Sequence, residues 1–245
     1  MEINYQDIGL HKDYLYEVLV TTFSGKQENI TPNTASMGIR LNKDDIIKVI
    51  PFPNTNTFEN LNDNGFAVIN FVDNVYLYAL ASLKDRNSLT GLKQFPHEFY
   101  EYYNIRQLKE LKDFLGSSTK HKVFRVPYVS QAWAIIICKA IETKQIIKKN
   151  YIGEIKVSEI SLRIYSIVKH RESFKLFNRA ENLTLELLIL TTRLKIAKER
   201  DDQHLFNDIY DKINYYLHMI DRFGRNPDID KSLEIVNSYI SKILI

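Results

Sequence analysis

What the chain lacks narrows its chemistry first. A single cysteine excludes an internal disulfide and fits a reducing compartment. That residue, Cys138, ends the apolar run Ala132-Trp-Ala-Ile-Ile-Ile-Cys138 and is expected to be a small buried hydrophobe, not a nucleophile. Only eight glycines are present, and none form Gly-x-Gly-x-x-Gly or a Gly-Lys-Ser/Thr phosphate loop, which disfavours a Rossmann fold or a nucleotide triphosphatase. The histidines (His11, His97, His121, His170, His204 and His218) never fall at i,i+3 or i,i+4, so no metal is expected. No apolar run approaches the roughly 20 residues that span a bilayer. With 33 basic and 30 acidic residues the net charge is +3, which makes no electrostatic case for nucleic acid. Gly116-Ser117-Ser118 resembles a helix-terminating loop more than a nucleophile elbow, and no convincing acid–base pair stands out. The start, Met1-Glu-Ile-Asn-Tyr-Gln-Asp7, lacks the basic and apolar regions of a signal peptide, so a soluble cytoplasmic protein is expected, with no membrane partner.

What is present divides by periodicity. Residues 14–22, 34–41, 45–52, 66–72, 122–129, 131–143 and 157–169 are β-branched or aromatic runs bounded by Asn, Asp, Gly and Pro, and are predicted strands. Ile160-Ser-Leu-Arg-Ile-Tyr-Ser-Ile-Val168 alternates apolar and polar side chains, as a sheet with one buried face requires. Six or seven such strands with short links imply a closed or partly closed barrel. The basic run 144–149 is expected near the solvated tip of a hairpin. Short helices are predicted at 57–64, 74–83 and 105–115, the first with an Asn or Thr N-cap and Gly65 as its stop. After Arg179 the spacing becomes helical. Leu183, Leu187, Leu190 and Leu194 mark one stripe, then Leu205, Ile209, Ile213, Leu217 and Ile220 a second that ends at Gly224. A third, Ile229, Leu233, Val236, Ile240 and Ile243, follows Pro227-Asp228. The expected class is mainly β with α (α+β), with a barrel domain over 1–175 and a helical region over 176–245.

One segment carries a functional signal. Residues 46–52 lead through Pro53-Asn-Thr-Asn-Thr-Phe-Glu-Asn60 into a helix start, where unpaired N–H groups and a partial positive charge favour an anion. Thr55 and Thr57 add hydroxyls, and Asn60 lies one turn beyond Thr57 on the same face. Such a corner can hold a phosphate with neutral donors. Thr and Asn are also ordinary caps, so both readings stand at this point. In Pro32–Gly38 the residues are small, and a flat ring could lie against that backbone.

Four pieces in order resemble the FMN-binding split barrel, and more narrowly an archaeal and bacterial family of unknown function related to flavin reductases. Glu17-Val-Leu-Val-Thr-Thr22 is similar to its opening strand, and Pro32-Asn-Thr-Ala-Ser-Met-Gly-Ile39 to its Pro-Asn-Ala-Ala-Pro-Met-Gly-Val motif, with Ser36 where proline is common. Thr55-Asn-Thr-Phe-Glu-Asn-Leu61 with Val68-Ile-Asn70 resembles its phosphate loop and next strand. Phe177-Asn-Arg-Ala180, leading into Glu186–Leu194, resembles the Asn-Arg-Ala helix of its C-terminal region. The resemblance implies a split β-barrel that binds FMN at a homodimer interface. Carried over, Asn33, Thr34, Ala35, Ser36 and Met37 would line the isoalloxazine. Thr55, Asn56, Thr57 and Asn60 would hold the phosphate with Asn70 nearby, and Arg179 would meet the phosphate or the other subunit. The expected activity is that of a flavin-reductase-type oxidoreductase, with electrons passing from NAD(P)H or a similar donor to a small acceptor. A non-catalytic flavin-binding protein is the alternative, as is a split barrel holding haem or a deazaflavin.

Overall fold

The structure, a computed structural model, describes residues 4–25, 29–42, 44–84, 91–106, 123–150, 153–173 and 178–244. A 3-10 turn, Tyr5–Ile8, precedes β1 (Leu15–Ser24), β2 (Thr31–Leu41) and β3 (Ile46–Val49). Helix α1 (Asn56–Asp63) leads to β4 (Phe66–Phe71) and α2 (Val75–Ser82). Strands β5 (Tyr100–Arg106), β6 (Val123–Val129), β7 (Ala134–Asn150) and β8 (Gly153–Lys169) follow. Three long helices come last: α3 (Arg179–Glu199), α4 (Gln203–Phe223) and α5 (Pro227–Leu244).

Six strands close into a barrel in the order β1-β2-β3-β8-β7-β4, and β5 and β6 pair as a separate two-stranded sheet. The barrel pairings are all antiparallel. Alternation along the strands sets the interior. Val18, Val20, Ile39, Leu41, Ile47, Val49, Ala67, Ile69, Ile136, Cys138, Ile160 and Leu162 point inward and form its core. Cys138 is fully buried there, and burial pushes its thiol well above the ordinary range. Strand β4 is buried on both faces because the β5–β6 sheet covers its outer side, where Phe66 and Val68 meet Ile105, Val126 and Tyr128. Its unbroken apolar run follows from that position.

Strands β7 and β8 outrun the barrel. Register shifts at Ile137/Cys138 and Ala140/Glu142 mark the irregularity after which the pair continues as a two-stranded ribbon to Asn150↔Gly153. The basic run 144–149 lies along this ribbon, with Lys144 exposed.

The helical stripes pack as spaced. Leu187, Leu190 and Leu194 of α3, Ile209, Ile213 and Ile220 of α4, and Ile229, Leu233, Val236, Ile240 and Ile243 of α5 are buried. They share one apolar cluster with α2, with Leu19 on the outer face of β1, and with Phe95, Tyr100 and Val129. Asn178 caps α3 through its side chain, and Asp202 caps α4.

The predicted strand boundaries hold to within four residues except at the end of β7. Strand β2 begins at Thr31, before the predicted 34, because a proline tolerates a strand end facing one partner. Strand β7 runs on to Asn150, past the predicted 143. The 105–115 helix expectation is corrected at its start. Ile105 and Arg106 belong to β5, whose Tyr100–Arg106 run pairs register by register with Val129–Val123. Tyr100-Glu-Tyr-Tyr-Asn-Ile-Arg106 has no clean period-2 pattern, so the strand shows only once its partner is known. The rest of that segment lies outside the described residues.

Candidate functional site

Thr55 has extended φ,ψ at the mouth of α1, and its hydroxyl accepts from Phe58 N at 3.3 Å and donates to Phe52 O at 2.7 Å. That is helix capping, and both capacities of this hydroxyl are used. Asn54 before it holds φ at 61°, a left-handed conformation that asparagine adopts at modest cost. Asn56 opens the helix and is half-buried. Gly65, at φ 70°, ends the turn after α1, where a Cβ would meet Lys139 Cε at 3.0 Å.

Thr57 and Asn60 face the protein, at 3% and 6% exposure. Asn60 donates to Thr22 Oγ1 at 3.1 Å, tying α1 to β1. Thr57 Oγ1 accepts from Asn33 Nδ2 at 3.0 Å, tying α1 to β2. Its own proton is left for a further acceptor, since a hydroxyl both donates and accepts.

Asn33 is the junction. Its carbonyl oxygen accepts from Lys84 Nζ at 2.7 Å. Lys84 follows α2 and reaches back across β2, donating also to the Thr34 carbonyl. Burial alone lowers the Lys84 ammonium to about 8, and among the described residues no carboxylate stands beside it. Thr34 Oγ1 lies 2.8 Å from Thr21 Oγ1, and Asn70 Nδ2 reaches the same Thr21 oxygen at 3.0 Å. Tyr100, at the start of β5, buries its hydroxyl against Thr34, where among the described residues it meets no partner at hydrogen-bonding geometry. A connected set of polar side chains thus runs from the first turn of α1, over β2, to the centre of β4.

The residues named from the sequence separate on this frame. Thr57 and Asn33 come together, with Asn60 beside them through Thr22, while the Thr34 hydroxyl turns to Thr21 on the other side of the strand. Side chains of β2 alternate, so the five from 33 to 37 cannot share one face. Met37 packs on the barrel core, whereas Thr34 and Ser36 bond to β1 on the opposite side. Ala35, opposite Val20 in the β1–β2 register, lies on the Met37 side. Ser36 donates to Glu17 Oε1 at 2.5 Å. Burial raises that carboxyl, the serine opposes the shift, and Glu186 on α3 adds to it. At Gly38 the side-chain space is already taken: a Cβ would stand 2.8 Å from Leu15 Cδ1.

Asn70 and Arg179 are placed differently. Asn70 is fully buried, and its amide bonds to Leu19 O, Thr21 Oγ1 and Val68 O while its oxygen accepts from Val129 N at 2.7 Å. It locks β4 to β1 and β6. Arg179, exposed at the start of α3, stacks its guanidinium 3.8 Å from the centre of the Phe223 ring of α4. Lys84 and Tyr100 were not legible as site residues. A lysine just past a helix C-terminus is an ordinary complement to the dipole, and Tyr100 sits in a segment without strand periodicity.

Fold and cluster together define a closed six-stranded antiparallel barrel with a helical layer and a polar, donor-rich junction of β2 and α1. The chain belongs to the family described as protein of unknown function DUF447. That family's N-terminal domain matches residues 16–149 and its other part residues 178–238. Among solved structures, the fold is similar to that of the FMN-bound DUF447 protein MM1853 from Methanosarcina mazei. The two align with a TM-score of 0.68 at 15% identity, over 96% of this chain and 100% of that one. Weaker likenesses are the flavin reductase HpaC complexed with NADP+ (TM-score 0.42, 14% identity, 69% of this chain and 88% of that one) and the FMN-binding protein of Thermus thermophilus (TM-score 0.42, 11% identity, 64% and 72%). Among the described residues, no helix is long and apolar enough to cross a membrane.

Proposed function

We propose that this protein binds FMN at the β2–α1 junction and acts as an oxidoreductase of the flavin-reductase type. The observation that carries the reading is Thr57. Its buried hydroxyl, in the first turn of α1, accepts from Asn33 and keeps a proton for which the described residues provide no acceptor. Support comes from the fold, which matches that of a family member bound to FMN over 96% of this chain.

The residues fit such a group. A phosphate oxygen suits a hydroxyl donor at a helix N-terminus, where the backbone adds partial positive charge. Bound there, FMN supplies two-electron chemistry, accepting a hydride from NAD(P)H or a similar donor and reducing a small acceptor. Thr57 and Asn33 would hold and orient it, and α1 is tied in place by Asn60 and by the Thr55 cap. Ala35 and Met37, half-buried two and four residues beyond Asn33 on the same face of β2, would offer small and flexible apolar surface. The cofactor's own reactivity makes a protein acid–base pair unnecessary.

A homodimer belongs to the same reading. The β7–β8 ribbon leaves Ile141 and Ile147 46% and 61% exposed, and a two-stranded ribbon without a covering surface is marginal in water. Sedimentation as a monomer at micromolar concentration overturns this part.

The purified full-length protein tests the rest. A yellow preparation whose flavin absorbance bleaches with NADH under anaerobic conditions is the expected result. Flavin bound but not bleached reduces the reading to non-catalytic binding. Colourless protein that takes up no added FMN ends it.

A further inference from the structure

We propose that Lys84 and the Tyr100 hydroxyl, grouped around Thr34 beside Asn33 and Thr57, form the charged half of a site for a phosphate monoester dianion. The proposal rests on the FMN reading and deepens it. It names the cation that grips the phosphate, which neutral hydroxyls and amides alone would otherwise have to hold.

Two groups here are held at a cost to the fold. Lys84 is drawn out of water, yet its partners are both neutral, the Asn33 side-chain oxygen and the Thr34 carbonyl. Burying a cation against neutral acceptors is unfavourable, and burial accordingly depresses its proton affinity to about 8. A lysine needed only to bridge α2 to β2 could be replaced by a neutral donor without that penalty. Tyr100 is 9% exposed, and its hydroxyl lies against the hydroxyl and main chain of Thr34 without completing a well-formed hydrogen bond among the described residues. A buried donor left unpaired is destabilising as well. The two penalties fall around one residue, Thr34, whose carbonyl Lys84 meets and against which Tyr100 lies.

Donor capacity points the same way. An ammonium carries three protons, of which two are used by Asn33 and Thr34. Tyr100 offers one and Thr57 another. Asn33 joins them, since its amide meets Thr57 and its oxygen meets Lys84. The site therefore gathers a cation, two hydroxyls and the positive end of α1, an arrangement suited to a dianion and poorly suited to a neutral ring.

The experiment compares FMN with riboflavin, which lacks the phosphate, on full-length wild type and on Lys84→Met, Lys84→Arg and Tyr100→Phe, by fluorescence titration. Lys84→Met is expected to weaken FMN about tenfold or more and riboflavin by less than about twofold. Lys84→Arg should recover part of the FMN loss, and Tyr100→Phe should weaken FMN a few-fold with riboflavin unchanged. On wild type, FMN binding at about pH 8.5 should take up a proton, because an anion raises the affinity of Lys84 for its own proton. Calorimetry in two buffers of different ionisation heat reads this directly.

Equal losses for FMN and riboflavin in Lys84→Met overturn the proposal, because the lysine would then serve the ring or the fold. Unchanged FMN affinity in Lys84→Met, with wild type binding FMN, overturns it while leaving the proposed function standing. If wild type binds neither flavin, both fall together. Should Lys84→Met fail to melt cooperatively, the wild-type calorimetry decides, and a heat independent of buffer counts against Lys84.

Discussion

Asn70 and Asn33 lie on one connected set of polar side chains, linked through Lys84, Thr34 and Thr21, yet the two amides are used in opposite ways. Asn70 is at 0% exposure and spends its amide on Leu19, Thr21 and Val68 and its oxygen on Val129. Nothing is left over for a ligand. Asn33 is half-buried, and the groups it joins, Lys84 and Thr57, each keep a donor that the described residues do not use. A satisfied buried network specifies packing. A network with spare donors is what the proposed FMN site requires, so the contrast marks which polar groups the proposal places at the ligand and which it leaves to the fold.

Breaking the satisfied side should give the largest effect. Asn70→Ala removes the partner of one backbone N–H and of several acceptors inside the sheet. We expect a loss of about 3 kcal/mol in unfolding free energy by chemical denaturation, from hydrogen bonds worth about 1 kcal/mol each plus the stranding of Val129 N. The protein that remains folded should still bind FMN. A large loss of affinity with stability intact would place Asn70 at the ligand after all.

Two threonines on α1 sharpen the comparison at a smaller scale. Thr57→Ala should weaken FMN by about 1–2 kcal/mol, the size of a hydrogen bond to a charged oxygen, and leave riboflavin nearly unchanged. Thr55→Ala removes a cap whose two bonds lie within the protein. It should lower stability by about 1 kcal/mol and move FMN affinity less than Thr57→Ala does. If unchanged affinity accompanies an unchanged melting temperature in Thr57→Ala, that side chain neither binds nor supports the helix.

How far the sequence revealed these differences depends on their range. Local patterns were legible. Period-2 strands, the Thr55 cap, the Gly65 stop and the three Leu/Ile stripes are set by residues near one another in the chain, and each appears where expected. Long-range polarity was not. In Val68-Ile-Asn-Phe71 the asparagine reads equally as a ligand or as a core amide, and only the pairing of β4 with β1 and the arrival of Val129 decide its employment. Lys84 is sequence-distant from Asn33, and a lysine after a helix carries no mark of burial. Strand β5 was missed because Tyr100-Glu-Tyr-Tyr-Asn-Ile-Arg106 lacks clean alternation, and its apolar face is defined by the β6 strand it pairs with and the barrel wall beneath. The use of Ser36 emerges only in three dimensions, as the donor to Glu17.

That serine leads to the smallest expected effect. Glu17 sits on β1 across from Gly38, hydrogen-bonded by Ser36, with its backbone oxygen taken by Tyr78 and with Glu186 as a like charge nearby. Burial, chiefly, raises its carboxyl above the ordinary value of 4.5. A raised folded-state value means the native protein holds the proton more tightly than the unfolded chain. The contribution is then fully present below 4.5 and is lost as pH rises through the folded-state value. Glu17→Gln mimics the protonated form, so it should gain on wild type as pH climbs from 4 to 7, by less than about 1 kcal/mol because the group is only half-buried. Paired denaturation curves across that range measure the difference. A difference that is flat, or that grows in favour of wild type at neutral pH, would mean that Ser36 and its surroundings stabilise the carboxylate, leaving the β1 face of the barrel as settled as Asn70.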